Sequence, residues 1–207
     1  MAIDDVRKLK GRLPGFIGHE NYFKSAVLLP LVEYQGELCV LFEVRSFNLN
    51  VQPGEISYPG GRIEKSDGGP ENAAVRETSE ELGLKADDIE VIVQLDTMLT
   101  PFNVAIYAFV GHIKDHKLIN PNPDEVDHVF YVPVSYLMKY EPIERNVGVK
   151  MVMPDDYPYH LIPNGRNYPW REGFYQQFFY QYEDKVIWGL TARILNHFIA
   201  LLKGMSK

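Results

Sequence analysis

The chain has 207 residues, 45% hydrophobic and 24% charged, with a formal net charge of −7 and a single cysteine. That length provides for one sizeable core and one domain, 1–207, with elaborations at its ends. An acidic chain without a Lys/Arg cluster is a poor partner for a nucleic-acid backbone or an anionic membrane, and no apolar run approaches the roughly 20 residues of a membrane span. The lone Cys39 excludes an intrachain disulfide and suits a reducing compartment; with a charged, not signal-like, stretch at 1–10, the expectation is a cytoplasmic protein.

In chain order, Ile3, Val6, Leu9 and Leu13 recur at helical spacing, which predicts a short helical extension within 2–13, broken by Pro14-Gly15. Segments 25–33 and 37–45, rich in Val, Leu and Phe, flank Tyr34-Gln35-Gly36 and read as a β-hairpin, with Cys39 a small buried apolar side chain. From 46 to 59 the chain is polar and rich in turn formers, with a brief strand at 55–58 running into Gly60-Gly61. A helix is expected from Pro70, whose fixed φ suits a first helical position, to Gly83, a natural C-terminal cap. Strands follow at 89–98, 104–113 and 126–132, then short strands and loops over 141–183, and a closing helix over 188–203. Strands, one helix, more strands and a terminal helix imply an α/β (α+β) sandwich, a mixed sheet between helices.

The chemistry concentrates in the first long helix. At about 100° per residue, Glu77, Glu80 and Glu81 fall within an arc of roughly 100° directly after a glycine-bearing loop. Like charges at helix spacing repel, so they require compensation. A hard divalent cation, which prefers oxygen ligands, is one source; the other is a solvated helix face neutralised by Arg76 at i, i+4 to Glu80. The six histidines form no close pair, and none is assigned to metal.

Spacing discriminates between these. The Nudix box runs Gly, five residues, Glu, seven residues, then Arg-Glu-hydrophobic-x-Glu-Glu-x-Gly-hydrophobic, and the present chain resembles it. Gly61 opens the box, Arg76-Glu77 and Glu80-Glu81 hold its charged positions, and Gly83-Leu84 closes it. Asp67 stands where the box has Glu, one extra residue separates it from Arg76, and Thr78 replaces a plain hydrophobe. These departures, and the run Leu41-Phe42-Glu43-Val44-Arg45-Ser46, Asn50, Gly54 and Tyr58-Pro59-Gly60-Gly61, resemble the coenzyme A pyrophosphatase branch, in which position 50 is usually Arg. Asp124-Glu125-Val126 and Trp188-Gly189-Leu190-Thr191-Ala192 extend the resemblance to the terminal helix.

The resemblance implies a Nudix sandwich that uses Mg²⁺ or Mn²⁺ to hydrolyse coenzyme A or an acyl-CoA to 3′,5′-ADP and 4′-phosphopantetheine. Glu77 and Glu81, at i, i+4, are the best ligand pair, with Glu80 of second rank. Arg76 is expected to orient a carboxylate, with Asp67 or Glu64 as its partner in the loop. Gly60 and Gly61 would admit the metal and phosphates to the backbone, though an ordinary turn also uses two glycines. Glu125 is the first candidate for general base and Glu81 the second. Among substrate contacts, Arg45 would meet a phosphate, Asn50 occupies the position of a lost Arg, and Arg62 is a candidate to replace that charge. Tyr157, Tyr159, Tyr168, Trp170, Phe174 and Tyr175 read mainly as core or dimer-interface packing, with stacking of an adenine or cover for a pantetheine arm as the alternative, and Trp188 as packing of the terminal helix. The rival readings are an ADP-ribose or dinucleotide pyrophosphatase and a non-catalytic nucleotide-binding module; homodimers are common in the family.

Overall fold

Why the first two strands pair is visible in the turn that joins them. In the computed structural model, which describes residues 3–13 and 15–204, Gln35 and Gly36 both adopt positive φ, the twist that suits a two-residue hairpin. They connect β1 (Phe23–Tyr34) to β2 (Glu37–Arg45), with Tyr34 opposite Glu37. Before them, α1 (Ile3–Arg7) is a single short helix with no buried residue, so the expected 2–13 helix is cut back. Met1, Ala2 and Pro14 lie outside the described residues. Periodicity supplies an apolar stripe there but no surface to bury it, and a helix so short is marginal without packing.

β1 and β2 then part. The first half of β1 pairs with β4 (Gly60–Arg62), while the end of β2 pairs with β3 (Ile56–Ser57). The chain passes through this fork into α2 (Pro70–Leu82), with Pro70 in its first turn and Gly83 capping its C-terminus, as expected. Next come β5 (Ile89–Gln94), β6 (Met98–Leu99), β7 (Val104–Ile113) and β8 (Val126–Pro133). The expected 89–98 strand is therefore two, interrupted after a bulge between Val91 and Val93. β7 lies parallel to β1 from Phe23–Val104 to Leu31–His112, and the other pairs are antiparallel, which makes the eight-stranded sheet mixed.

A short helix, α3 (Val134–Leu137), leads to β9 (Ile143–Val149), β10 (Gly173–Tyr182), β11 (Lys185–Ile187) and the closing α4 (Gly189–Leu202). β9 and β10 pair over seven positions, a longer ladder than the weak alternation of 141–183 implies. Strand alternation divides the core in two. Ala26, Leu28 and Val32 of β1 face α2, meeting Ala73, Ala74 and Leu82. Leu29 and Leu31 face α4, meeting Ile194, Leu195 and Phe198. Each fully buried Leu, Ile or Phe contributes roughly 1.5–3 kcal/mol, so both helices are held by tertiary packing. Cys39 is buried as expected. No helix among the described residues is long and apolar enough to cross a membrane.

Candidate active site

The fork between β1 and β2 fixes the backbone against which α2 lays its carboxylates. Gly60 has φ 156°, and a Cβ there would stand 2.4 Å from the carbonyl oxygen of Ala26. A Cβ on Gly61 would stand 2.4 Å from Glu77 Oε1. Only glycine leaves room for the strand and the carboxylate together, so this pair does more than form a turn. The Gly60 amide donates to Glu81 Oε2 at 2.8 Å, joining β4 to the last turn of α2.

Arg76 organises the opposite edge. Its Nε donates to Asp67 Oδ1 at 2.7 Å and its Nη2 to Asp67 Oδ2 at 3.2 Å, a two-point grip on the loop before the helix. The same guanidinium reaches Glu77 at 3.0 Å, Glu80 at 3.1 Å and the Arg62 carbonyl at 3.2 Å. Hydrogen bonds from Arg76 hold the Asp67 carboxyl below the usual aspartate range. The partner of Arg76 in the loop is thus Asp67, with Glu64 contributing its backbone amide to Asp67. Thr78, the other departure from the box, is buried and donates its hydroxyl to the Ala74 carbonyl at 2.7 Å.

The three helix carboxylates occupy different environments. Glu81 is buried, Glu77 is half-buried, and Glu80 is exposed beside Arg76. A fourth carboxylate joins them that was assigned no role from the sequence. Glu43 of β2 is 1% exposed, accepts from Ser57 Oγ at 2.9 Å through Oε1, and leaves Oε2 buried without a partner. The available signal was an acid within the buried run 39–44 of β2, two positions after Leu41 and so on the α2 face. Burial, then repulsion from Glu43, raise Glu81 to about 9, against the opposing bond from Gly60. Burial likewise pushes Glu43 to about 7, with Ser57 and Arg45 opposing it, and burial raises Glu77.

Glu125 precedes β8, and its charge adds to the repulsion on Glu43, Glu77 and Glu81. The loop that carries it is anchored to the end of α2: the Asn120 and Asn122 amides donate to the Leu82 and Glu81 carbonyls at 2.9 and 2.8 Å. Arg76 holds Glu77 and Glu80 while Gly60 and Ser57 hold Glu81 and Glu43, and among the described residues no three acidic, His or Cys side chains converge at metal-ligand spacing. By donor chemistry the group nevertheless fits a hard cation: all oxygen, mutually repelling, with one buried oxygen unpartnered.

Beside Gly60 opens a cavity of about 420 Å³, lined by Arg45, Tyr58, Phe102, Tyr175 and Trp188 among others. Arg45 Nε is buried and unpartnered, as are the Tyr58 and Tyr175 hydroxyls. Asn50 is exposed and does not line this cavity. Arg62 is exposed, with its guanidinium over the Phe23 ring, 5.5 Å from the centroid, and it does not line this cavity. Trp188, 44% exposed, forms part of the cavity wall and stacks on Phe179 of β10, which packs the start of the terminal helix against that strand as expected. Tyr157, Tyr159, Tyr168 and Trp170 pack on one another in a cluster of their own.

The model of the NUDIX domain matches residues 22–150. Peroxisomal coenzyme A diphosphatase NUDT7 of Mus musculus is 35% identical over 138 residues, 66% of this chain and 58% of that protein, so the chain spans less than two thirds of that relative's length. Mitochondrial coenzyme A diphosphatase NUDT8 of Homo sapiens is 30% identical over 182 residues, covering 86% of this chain and 69% of that one. The crystal structure of a MutT/nudix family protein from Enterococcus faecalis superposes with a TM-score of 0.52 at 15% identity, over 98% of this chain and 70% of that chain, a likeness of fold. The NUDIX match covers more than half of the sequence and takes in both the helix carboxylates and the glycine pair they meet, and on that basis the chain belongs to the Nudix family of hydrolases.

Proposed function

We propose that the chain is a Mg²⁺- or Mn²⁺-dependent pyrophosphatase that cleaves coenzyme A or an acyl-CoA into 3′,5′-ADP and the 4′-phosphopantetheine half. The observation that carries the hydrolytic reading is the group of Glu43, Glu77, Glu81 and Glu125, buried or half-buried, with Glu81 bonded to the amide of Gly60, a residue that also lines a cavity large enough for part of a nucleotide. A bound divalent cation would neutralise the two linked phosphoryl groups and acidify a water. Glu77 and Glu81 would hold it, with Glu43 supplying its free oxygen and Glu80 at the exposed edge.

In this reading water adds to one phosphorus, the bridging P–O bond breaks, and Glu125, which has no hydrogen bond to its side chain among the described residues, takes the proton of the attacking water. Arg76 positions Glu77 and the loop, and Arg45 offers its free Nε to a phosphate oxygen. The names of the mouse and human relatives support coenzyme A as substrate. The Asn50 departure weighs less against it because Asn50 is exposed and is not among the residues that line the cavity.

Assays of coenzyme A, ADP-ribose and diadenosine polyphosphates side by side, with Mg²⁺ and with Mn²⁺, test this. Turnover of ADP-ribose or a dinucleotide without coenzyme A would transfer the chain to the rival specificity. Binding without turnover of any of them would make it a nucleotide-binding module. We place the activity in the cytoplasm on the strength of the single free cysteine. Relatives are named as peroxisomal and mitochondrial, so cell fractionation is the deciding measurement.

A further inference from the structure

A second cavity, of about 220 Å³, opens between α4 and the β5–β6 segment, lined by Asp96, Thr97, Arg193 and His197 among others. Arg193 and His197 are i, i+4 on α4 and so share one face. The Arg193 guanidinium lies over the Tyr175 ring, 4.5 Å from its centroid. Its Nη1 is buried with no hydrogen-bond partner, and among the described residues Arg193 makes no ion pair. A guanidinium keeps its charge at any physiological pH and carries five donors, so half-buried Arg193, with one donor enclosed and unbonded and no ion pair, lacks an anion. Asp96 does not supply it: its side chain is 86% exposed and meets His197 Nε2 at 3.1 Å.

The position of this cation relates it to the substrate cavity. Tyr175 lines the larger cavity, Arg193 lines the smaller, and Ile194 lines both, so the Tyr175–Arg193 stack is the partition between them. Every one of these three residues lies beyond residue 150, outside the matched domain. We infer that Arg193, assisted by His197, forms a second anion subsite that receives a phosphomonoester on the substrate, separate from the diphosphate that is cleaved. A planar guanidinium fork matches a phosphate through paired, charge-assisted hydrogen bonds. This deepens the coenzyme A reading and rests on it: the 3′-phosphate is that group, and neither Asn50 nor Arg62 lines either cavity.

The test compares coenzyme A with dephospho-coenzyme A, which lacks only that phosphate, on the full chain with Mg²⁺. For the wild type, KM favours coenzyme A by roughly tenfold or more, as a lost charge-assisted contact would cost. In Arg193→Gln the ratio of the two KM values collapses toward one, Arg193→Lys keeps part of it, and His197→Gln lowers it severalfold. A wild-type ratio of one, or a ratio unchanged in Arg193→Gln, overturns the subsite without touching the hydrolytic assignment. If neither compound is turned over, the coenzyme A reading fails, and binding still decides the subsite. Adenosine 3′,5′-bisphosphate should raise the melting temperature more than adenosine 5′-monophosphate does in the wild type, with the difference lost in Arg193→Gln. Equal shifts by both nucleotides in the wild type overturn it.

Discussion

Glu43 and Glu81 contribute a pH dependence to the stability of the fold. Both carboxyls are raised, to about 7 and about 9, and so retain protons in the folded chain where the unfolded chain has released them. Their stabilising contribution is therefore complete below the ordinary glutamate range and is lost as pH rises through 7 and then 9. With a chelator present, calorimetry should show the melting temperature falling between about pH 5 and 9, and Glu43→Gln and Glu81→Gln flattening that fall. At pH 8, Mg²⁺ should restore more of the wild-type melting temperature than of the Glu81→Gln value, because ligand binding to the folded state is itself stabilising. Turnover moves the other way: Glu77→Gln and Glu81→Gln should each lose roughly a hundredfold or more. Unchanged turnover in both would remove the metal-ligand assignment. Gly60→Ala, forced into a strained φ against the Ala26 carbonyl, should cost about 1–3 kcal/mol in denaturant unfolding.

At the scale of elements, α2 is useful because both of its ends are tied down. The Asp67–Arg76 grip fixes the loop entering it, and the Asn120 and Asn122 amides cap its last carbonyls. Asp67→Asn should therefore leave the helix in place but raise the Mg²⁺ concentration for half-maximal activity by about 10- to 100-fold, as loss of an outer-sphere orienting contact does. A metal titration checks it; an unchanged midpoint would reduce the pair to a loop clasp. The bounds of α2 and α4 and the β1–β2 hairpin were legible because Pro70, Gly83 and Gln35-Gly36 act on their own backbone. Over 2–13 helical spacing misleads: Ile3, Val6 and Leu9 keep it, but all three are exposed and the helix ends at Arg7. The β9–β10 ladder leaves little trace in the sequence, since most of β9 is exposed and shows no alternation of buried and exposed positions.

For the molecule as a whole, the mixed sheet carries a different core on each face, and the two faces have different tasks. The α2 face builds the carboxylate group and the α4 face walls the cavity. Leu195→Ala, in the fully buried α4 face, should cost about 2–5 kcal/mol by chemical unfolding, while leaving the carboxylates of α2 unaltered. The box residues of α2, the glycine pair and the turns could be read without coordinates, because helix periodicity, caps and motif spacing are properties of neighbouring residues. The company those residues keep could not. That the charge of Glu43 acts on Glu81, that Asn50 and Arg62 do not line the cavity, and that Tyr175 and Arg193 stand between it and its neighbour all depend on the parting of β1 from β2 and on how β10 and α4 pack over the sheet. Such contacts join residues far apart along the chain through strand register and helix docking, and no local pattern of side chains encodes them.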